Sequence, residues 1–121
     1  MRAKNLAALV FVGAAALSAP AMAEGLFGAI AFSPSTGQAG SAWNNDTGTL
    51  AETEAYLQCG SEDCYTAVIF QQCAAIAVGD GNGMGFAADL SSAVAADTAL
   101  ANCAEYTSNC EIIASFCNEG Y

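Results

Sequence analysis

Apolar residues fall along this chain in short runs separated by turn residues, and the series of runs comes twice. The first run, Gly25 to Phe32 (GLFGAIAF), is bounded by turn residues and reads as a strand. Ser33-Pro34-Ser35-Thr36-Gly37 follows, where proline presets φ and glycine supplies a positive φ, so the chain reverses. Gln38 to Trp43 then reads as the return strand of a hairpin, and Asn44-Asn45-Asp46 as a loop. Thr49-Leu50-Ala51-Glu52 has the spacing of a capping box, in which hydroxyl and carboxylate satisfy the first free N–H groups of a helix. That helix should run to about Gln58, with Leu50, Ala51, Ala55 and Leu57 toward the core and Gly60 as its C-terminal stop. Cys64 to Phe70 is β-branched and aromatic, a buried strand.

The pattern then restarts. Ala75-Ile76-Ala77 repeats Ala29-Ile30-Ala31, and Asp80-Gly81-Asn82-Gly83 stands where Pro-Ser-Thr-Gly stood before. Gly85 to Ala88 is the short return strand. Asp89 or Ser91 caps a second helix, rich in Ala with Val94 and Leu100, that runs to about Cys103. Cys110 to Phe116 is the last strand. Matching positions lie 44 to 46 residues apart. Two copies make a duplication, since a solenoid array needs three or more. The fold class that follows is α+β: two β-β-α-β repeats in a mostly antiparallel six-stranded sheet, with two helices on one face.

Six cysteines sit in the repeat, as CGSEDCYTAVIFQQC from Cys59 and CAEYTSNCEIIASFC from Cys103. Fifteen pairings are open to six cysteines. The solution symmetric between the copies is Cys59–Cys64 and Cys103–Cys110 as local staples, with Cys73–Cys117 joining the halves. On chain entropy the local bridges stabilise by about 2–3 kcal/mol each and the long one by about 4 kcal/mol.

The first residues change the picture. Arg2 and Lys4, the apolar stretch Leu6 to Leu17 and Ala21-Met22-Ala23 have the three parts of a secretory signal peptide. Residues 1–23 are therefore expected to be removed, the competing possibility being an uncleaved anchor. Residues 24–121 form one duplicated domain, exported to the periplasm or outside the cell, where cysteines pair. No later stretch is long and apolar enough to span a membrane as a helix.

Charge narrows the function classes. Arg2 and Lys4 are the only basic residues, so their removal takes the formal charge from −10 to −12 and leaves no Lys, Arg or His. Nucleic-acid binding needs cations against phosphates and is not expected. Ser–His, Cys–His and Ser–Lys catalysis lack their base. Paired cysteines without histidine leave no transition-metal set, so no cofactor is expected. Carboxylate-only hydrolysis could draw on Glu52 and Glu54, or on Glu62 and Asp63, but solvated acids are ordinary on a helix or turn. Asp80-Gly81-Asn82-Gly83 faintly resembles a calcium loop, but lacks the third acidic position and the distal Glu; a hairpin turn explains it. Among the aromatic residues Trp43, Tyr56, Tyr65 and Tyr106, Trp43 is the best candidate for a partner contact. The expected function is a non-enzymatic binding module whose acidic surface favours a cationic protein or peptide. The alternatives are a carboxylate-only hydrolase and a structural envelope protein without a soluble ligand.

Several of these segments also carry a resemblance. GAIAFSPSTG, Leu57-Gln58-Cys59-Gly60, Cys64 to Phe70, Cys73-Ala74-Ala75-Ile76-Ala77, Ala99-Leu100 before Cys103, and Phe116-Cys117-Asn118 together resemble the domain-of-unknown-function family 4189. The likeness runs from about Phe27 to Asn118. It implies a small exported bacterial domain with paired cysteines, and it brings no catalytic residues with it.

Overall fold

Alternation along two strands decides the layering. The computed structural model describes residues 25–121; the expected signal peptide, residues 1–23, lies outside the described residues. In chain order the elements are β1 (Phe27–Phe32), β2 (Ala39–Asn45), α1 (Gly48–Cys59), β3 (Tyr65–Phe70), β4 (Cys73–Val78), a 3-10 turn (Asp80–Asn82), β5 (Met84–Asp89), α2 (Ser92–Ala104) and β6 (Glu111–Cys117). Both repeats are thus β-β-α-β. The strands form two antiparallel three-stranded sheets, ordered β2-β1-β3 and β5-β4-β6, where one six-stranded sheet was expected.

The central strands show why there are two sheets. On β1, Ala29 and Ala31 belong to a cluster with Ala51, Ala55 and Cys59 of α1. On β4, Ala75 and Ala77 cluster with Ala95, Ala99 and Cys103 of α2. The alternate residues Ile30 and Phe32, with Ala74 and Ile76, meet in a third cluster with Phe70. That cluster draws on both sheets, so they pack face to face. Each helix covers an outer face, and the layers run helix, sheet, sheet, helix. The helices therefore lie on opposite outer faces, not together on one. A central strand with both faces buried must have a partner on each side, and two stacked sheets supply it.

The two faces of each sheet differ in size of residue. Phe, Ile, Val and Met dominate the space between sheets, while the buried residues of the helix-side clusters are all Ala and Cys, with Phe27, Leu100 and Ile112 partly buried at their margins. The helices consequently ride very close. A Cβ added at Gly40 of β2 would run into Ala55 O and Cys59 N of α1. At Gly85 of β5 it would run into Cys103 N and stand 2.6 Å from Ala99 O of α2. This closeness overturns one expectation. The α1 contact stripe is Ala51, Ala55 and Cys59, whereas Leu50 and Leu57 are 53% and 71% exposed. Val94 of α2 is likewise exposed. The N-cap of α1 is Thr47, two residues before the expected one, and its side chain accepts from Leu50 N at 3.1 Å. Ser91 caps α2 through Val94 N, and Asp89 in turn accepts from Ser91 N.

Three disulfides are present: Cys59–Cys64, Cys73–Cys117 and Cys103–Cys110. The first and last tie each helix end to the strand after it. The second does not join the halves, because Cys73 and Cys117 face each other across β4 and β6 of one sheet. The reason is a length difference: the helix-to-strand bridge spans five positions in the first half and seven in the second. Aligned on the strands, Cys117 then matches Gln71, and Cys73 opens the second unit.

Hydrogen bonds join the halves beside the apolar interface. The buried Asn118 accepts from Asn44 N at 2.6 Å and donates to Phe70 O at 3.3 Å. Glu119 N donates back to Asn44 Oδ1 at 2.7 Å. At the far end of β2, Asn82 Nδ2 donates to Pro34 O at 3.0 Å.

Two stability tests follow. Gly40→Ala and Gly85→Ala push a methyl into helix backbone and should each cost about 3 kcal/mol in urea unfolding. Gly81→Ala is the control: nothing lies within 4 Å there, but φ is +64°, so the cost is about 1 kcal/mol of backbone strain. Equal losses at all three sites would count against the close-packing account. Replacing Cys73 and Cys117 together by Ala should remove about 4 kcal/mol by the chain-entropy model. Hydrogen exchange should then rise first in β6, which packs at the edge of its sheet.

Candidate functional site

The chain following the second hairpin turn builds an open cleft of about 630 Å³. Met84, Gly85 and Phe86 of the edge strand β5 form one side. Asn102, Glu105 and Tyr106, from the end of α2 and the residues after it, form another. Tyr65, at the start of β3, closes it from the other sheet. Tyr106 is 74% exposed and Tyr65 46% exposed. The ring of Tyr65 is backed edge-on by Phe32, with centroids 6.4 Å apart. Asn102 Nδ2 donates to Phe86 O at 3.0 Å, so α2 already occupies one carbonyl of this edge strand. The surface offered is two phenol rings, a thioether, an aromatic ring and one carboxylate. None of the residues 25–121 is a Lys, Arg or His, so no side chain of the described protein can neutralise Glu105. Such a surface can hold a cation by its ring faces and carboxylate.

Of the four aromatic residues expected at a contact patch, only Tyr65 and Tyr106 come together. Trp43 lies elsewhere, half-exposed on β2 and packed at a tilt against Phe116, ring centroids 5.1 Å apart, with Phe70 behind it at 5.3 Å from Phe116. Tyr56 borders a separate shallow hollow of about 250 Å³ with Leu57, Ser61 and Glu62. Met84, Phe86, Asn102 and Glu105 escaped the sequence reading. A comparison of the two copies would have pointed to Met84 and Phe86. Gly83-Met84-Gly85-Phe86 stands where the first copy has Gln38-Ala39-Gly40-Ser41, and Tyr106 stands where it has Glu62.

The candidate acids disperse into structural roles. Glu52 accepts from Thr66 Oγ1 at 2.7 Å, whereas Glu54 accepts from Asn45 Nδ2 at 3.1 Å and Gln58 Nε2 at 3.4 Å. Glu62 faces the hollow beside Tyr56, while its neighbour Asp63 binds the first hairpin turn. There the Ser33 hydroxyl donates to one oxygen at 2.7 Å and the Ser35 amide to the other at 2.9 Å. In the turn expected to resemble a calcium loop, Asp80 accepts from Asn109 Nδ2 at 2.9 Å, and Asn82 is turned to Pro34. Among the described residues no three His, Cys, Asp or Glu side chains stand together as a metal site.

The fold and cleft define a small disulfide-stapled α+β domain with an aromatic, acidic groove at one end. Its residues 27–117 match the model of the domain of unknown function DUF4189, and the chain belongs to that family. It is also similar to Rv1813c from Mycobacterium tuberculosis, a structure solved by NMR. The two are 28% identical with a TM-score of 0.61, over 78% of this chain and 76% of that one. No curated protein matches this chain in sequence. No helix among the described residues is long and apolar enough to cross a membrane.

Asp63 gives a pH test. The Ser33 hydroxyl, then the Ser35 amide, favour its ionised form and hold its pKa below the ordinary 3.8. A folded-state pKa below the unfolded one stabilises the fold above the unfolded value, and that contribution is lost as pH falls through the folded one. Asp63→Asn should therefore melt below the wild type at neutral pH. The gap should close as the pH drops below 3.8. A gap that stays constant on acidification would show that the Asp63 charge has no part in it.

Proposed function

We propose that the protein is an exported, non-enzymatic binding module that takes a cationic side chain of a protein or peptide partner in the Tyr65–Tyr106 cleft. The observation that carries this reading is the cleft's composition: aromatic rings and an uncompensated carboxylate, in a stretch of chain without a single cation. Cation–π contacts contribute about 0.5–2 kcal/mol each, and the overall acidity steers a basic partner inward. Asn102 already covers the carbonyl of Phe86, which favours entry of a side chain over addition of a strand. Export is supported by three disulfides with no free cysteine, the state expected of an oxidising compartment. The dispersal of the acids, with Glu52, Glu54 and Asp63 each engaged by a different structural donor, favours binding over hydrolysis.

Calorimetric titration with a hexalysine peptide tests the proposal. Tyr106→Ala and Glu105→Gln should each weaken binding about three- to tenfold, and side-chain acetylation of the peptide should abolish it. Added salt should weaken the wild-type complex. Binding that is equally tight in both variants would mean attraction to the acidic surface at large, and would overturn the cleft as the site.

A further inference from the structure

The cleft wall formed by Glu105 and Tyr106 belongs to a loop, residues 105–109, and the loop is tied down mainly by one residue outside the cleft. Asp80 makes three hydrogen bonds to three successive loop residues. Its N–H donates to Ser108 O at 2.9 Å. Its carbonyl accepts from Thr107 Oγ1 at 2.6 Å. Its carboxylate accepts from Asn109 Nδ2 at 2.9 Å, and Asn109 is held at φ +60°. Thr107 packs so closely on the same turn that a Cβ at Gly83 would stand 2.7 Å from its Cβ. On the other side, Tyr106 N and Thr107 N both donate to Cys103 O, at 2.9 and 3.0 Å. The Cys103–Cys110 bridge closes the loop.

We infer that Asp80 is a positioning residue for ligand binding: its carboxylate, through Asn109, holds the 105–109 loop so that Glu105 and Tyr106 present a fixed wall to a bound cation. The inference rests on the cleft being the binding site. The first half offers a comparison. There too a carboxylate joins the hairpin turn to the helix-to-strand loop, but it comes from the loop, as Asp63 bound to Ser33 and Ser35. That loop is shorter and places Ser61 and Glu62 where the second half has Glu105 and Tyr106. The longer loop puts Glu105 and Tyr106 in the cleft wall, so in this half the carboxylate anchor bears on the binding surface. Preorganised side chains lose less freedom on binding, so the anchor acts on affinity.

The test compares Asp80→Ala, which keeps the two main-chain bonds and removes only that of the carboxylate, with Asn109→Ala and the conservative Asp80→Asn, whose amide oxygen can still accept from Asn109. The alanine variants should bind hexalysine about five- to tenfold more weakly, and Asp80→Asn within about twofold of wild type. Amide hydrogen exchange should quicken at residues 105–109 in the alanine variants, while Ala95 to Cys103 of α2 stay protected. Wild-type affinity in Asp80→Ala, or exchange that quickens through the whole helix, would overturn the positioning role. If the wild type itself fails to bind hexalysine, the cleft reading falls. In that case quickened exchange confined to the loop still supports Asp80 as its anchor, and unchanged exchange rejects it.

Discussion

The closeness of each helix to its sheet is the constraint on which the rest of this structure depends. Gly40 and Gly85 sit where a single methyl would enter helix backbone, and Ala fills nearly all the remaining contact. Such a seam contributes little apolar area per residue, so burial there cannot carry the fold alone. Two consequences follow. The large side chains are displaced to the space between the sheets, where Phe32, Ile30 and Ile76 are fully buried with Phe70 beside them. Each helix end also carries a disulfide to the strand that follows, holding in place an element whose grip on the sheet is thin.

Stacking the two units face to face settles what joins them. With no basic residue in the described protein, no side-chain salt bridge can do it. With Cys73 and Cys117 committed within one sheet, and the other two bridges each within one half, no disulfide does it either. The halves are held by their aromatic and aliphatic interface and by amide side chains at its ends. Asn118 reads the backbone of Asn44 and Phe70 at one end, and Asn82 reads Pro34 at the other. A neutral amide both donates and accepts, so it can bridge two backbones without adding to an already large negative charge.

Duplication made two equivalent places, and only one became a cleft. Both halves join hairpin turn and helix-to-strand loop through a carboxylate, Asp63 in one and Asp80 in the other, with the donor and acceptor sides exchanged. Two added residues in the second loop, and larger side chains at Met84 and Phe86, produced the groove to which Tyr65 of the opposite sheet adds its ring. The proposed binding site therefore draws on both halves, although the sequence features that create it lie in the second.

The elements and their duplication were legible in the chain because they depend on local physics. Ile30 and Ile76 recur amid alanines, glycine and proline mark the turns, and cysteines bracket the loops. The acidic charge, and the chemistry it excludes, is likewise a property of composition. Tertiary structure decided what local pattern could not. Leu50 and Leu57 look like core, yet Ala51, Ala55 and Cys59 are buried, because only a packed sheet shows how close the helix must come. One sheet or two was undetermined, since a strand apolar on both faces fits either. Cys73 and Cys117 read as counterparts until strand register placed them opposite each other. Tyr65 and Tyr106, 41 positions apart, meet only because one sheet lies on the other. Spacing along a chain fixes which face a residue takes within its own element, and only the packing of elements fixes what that face meets.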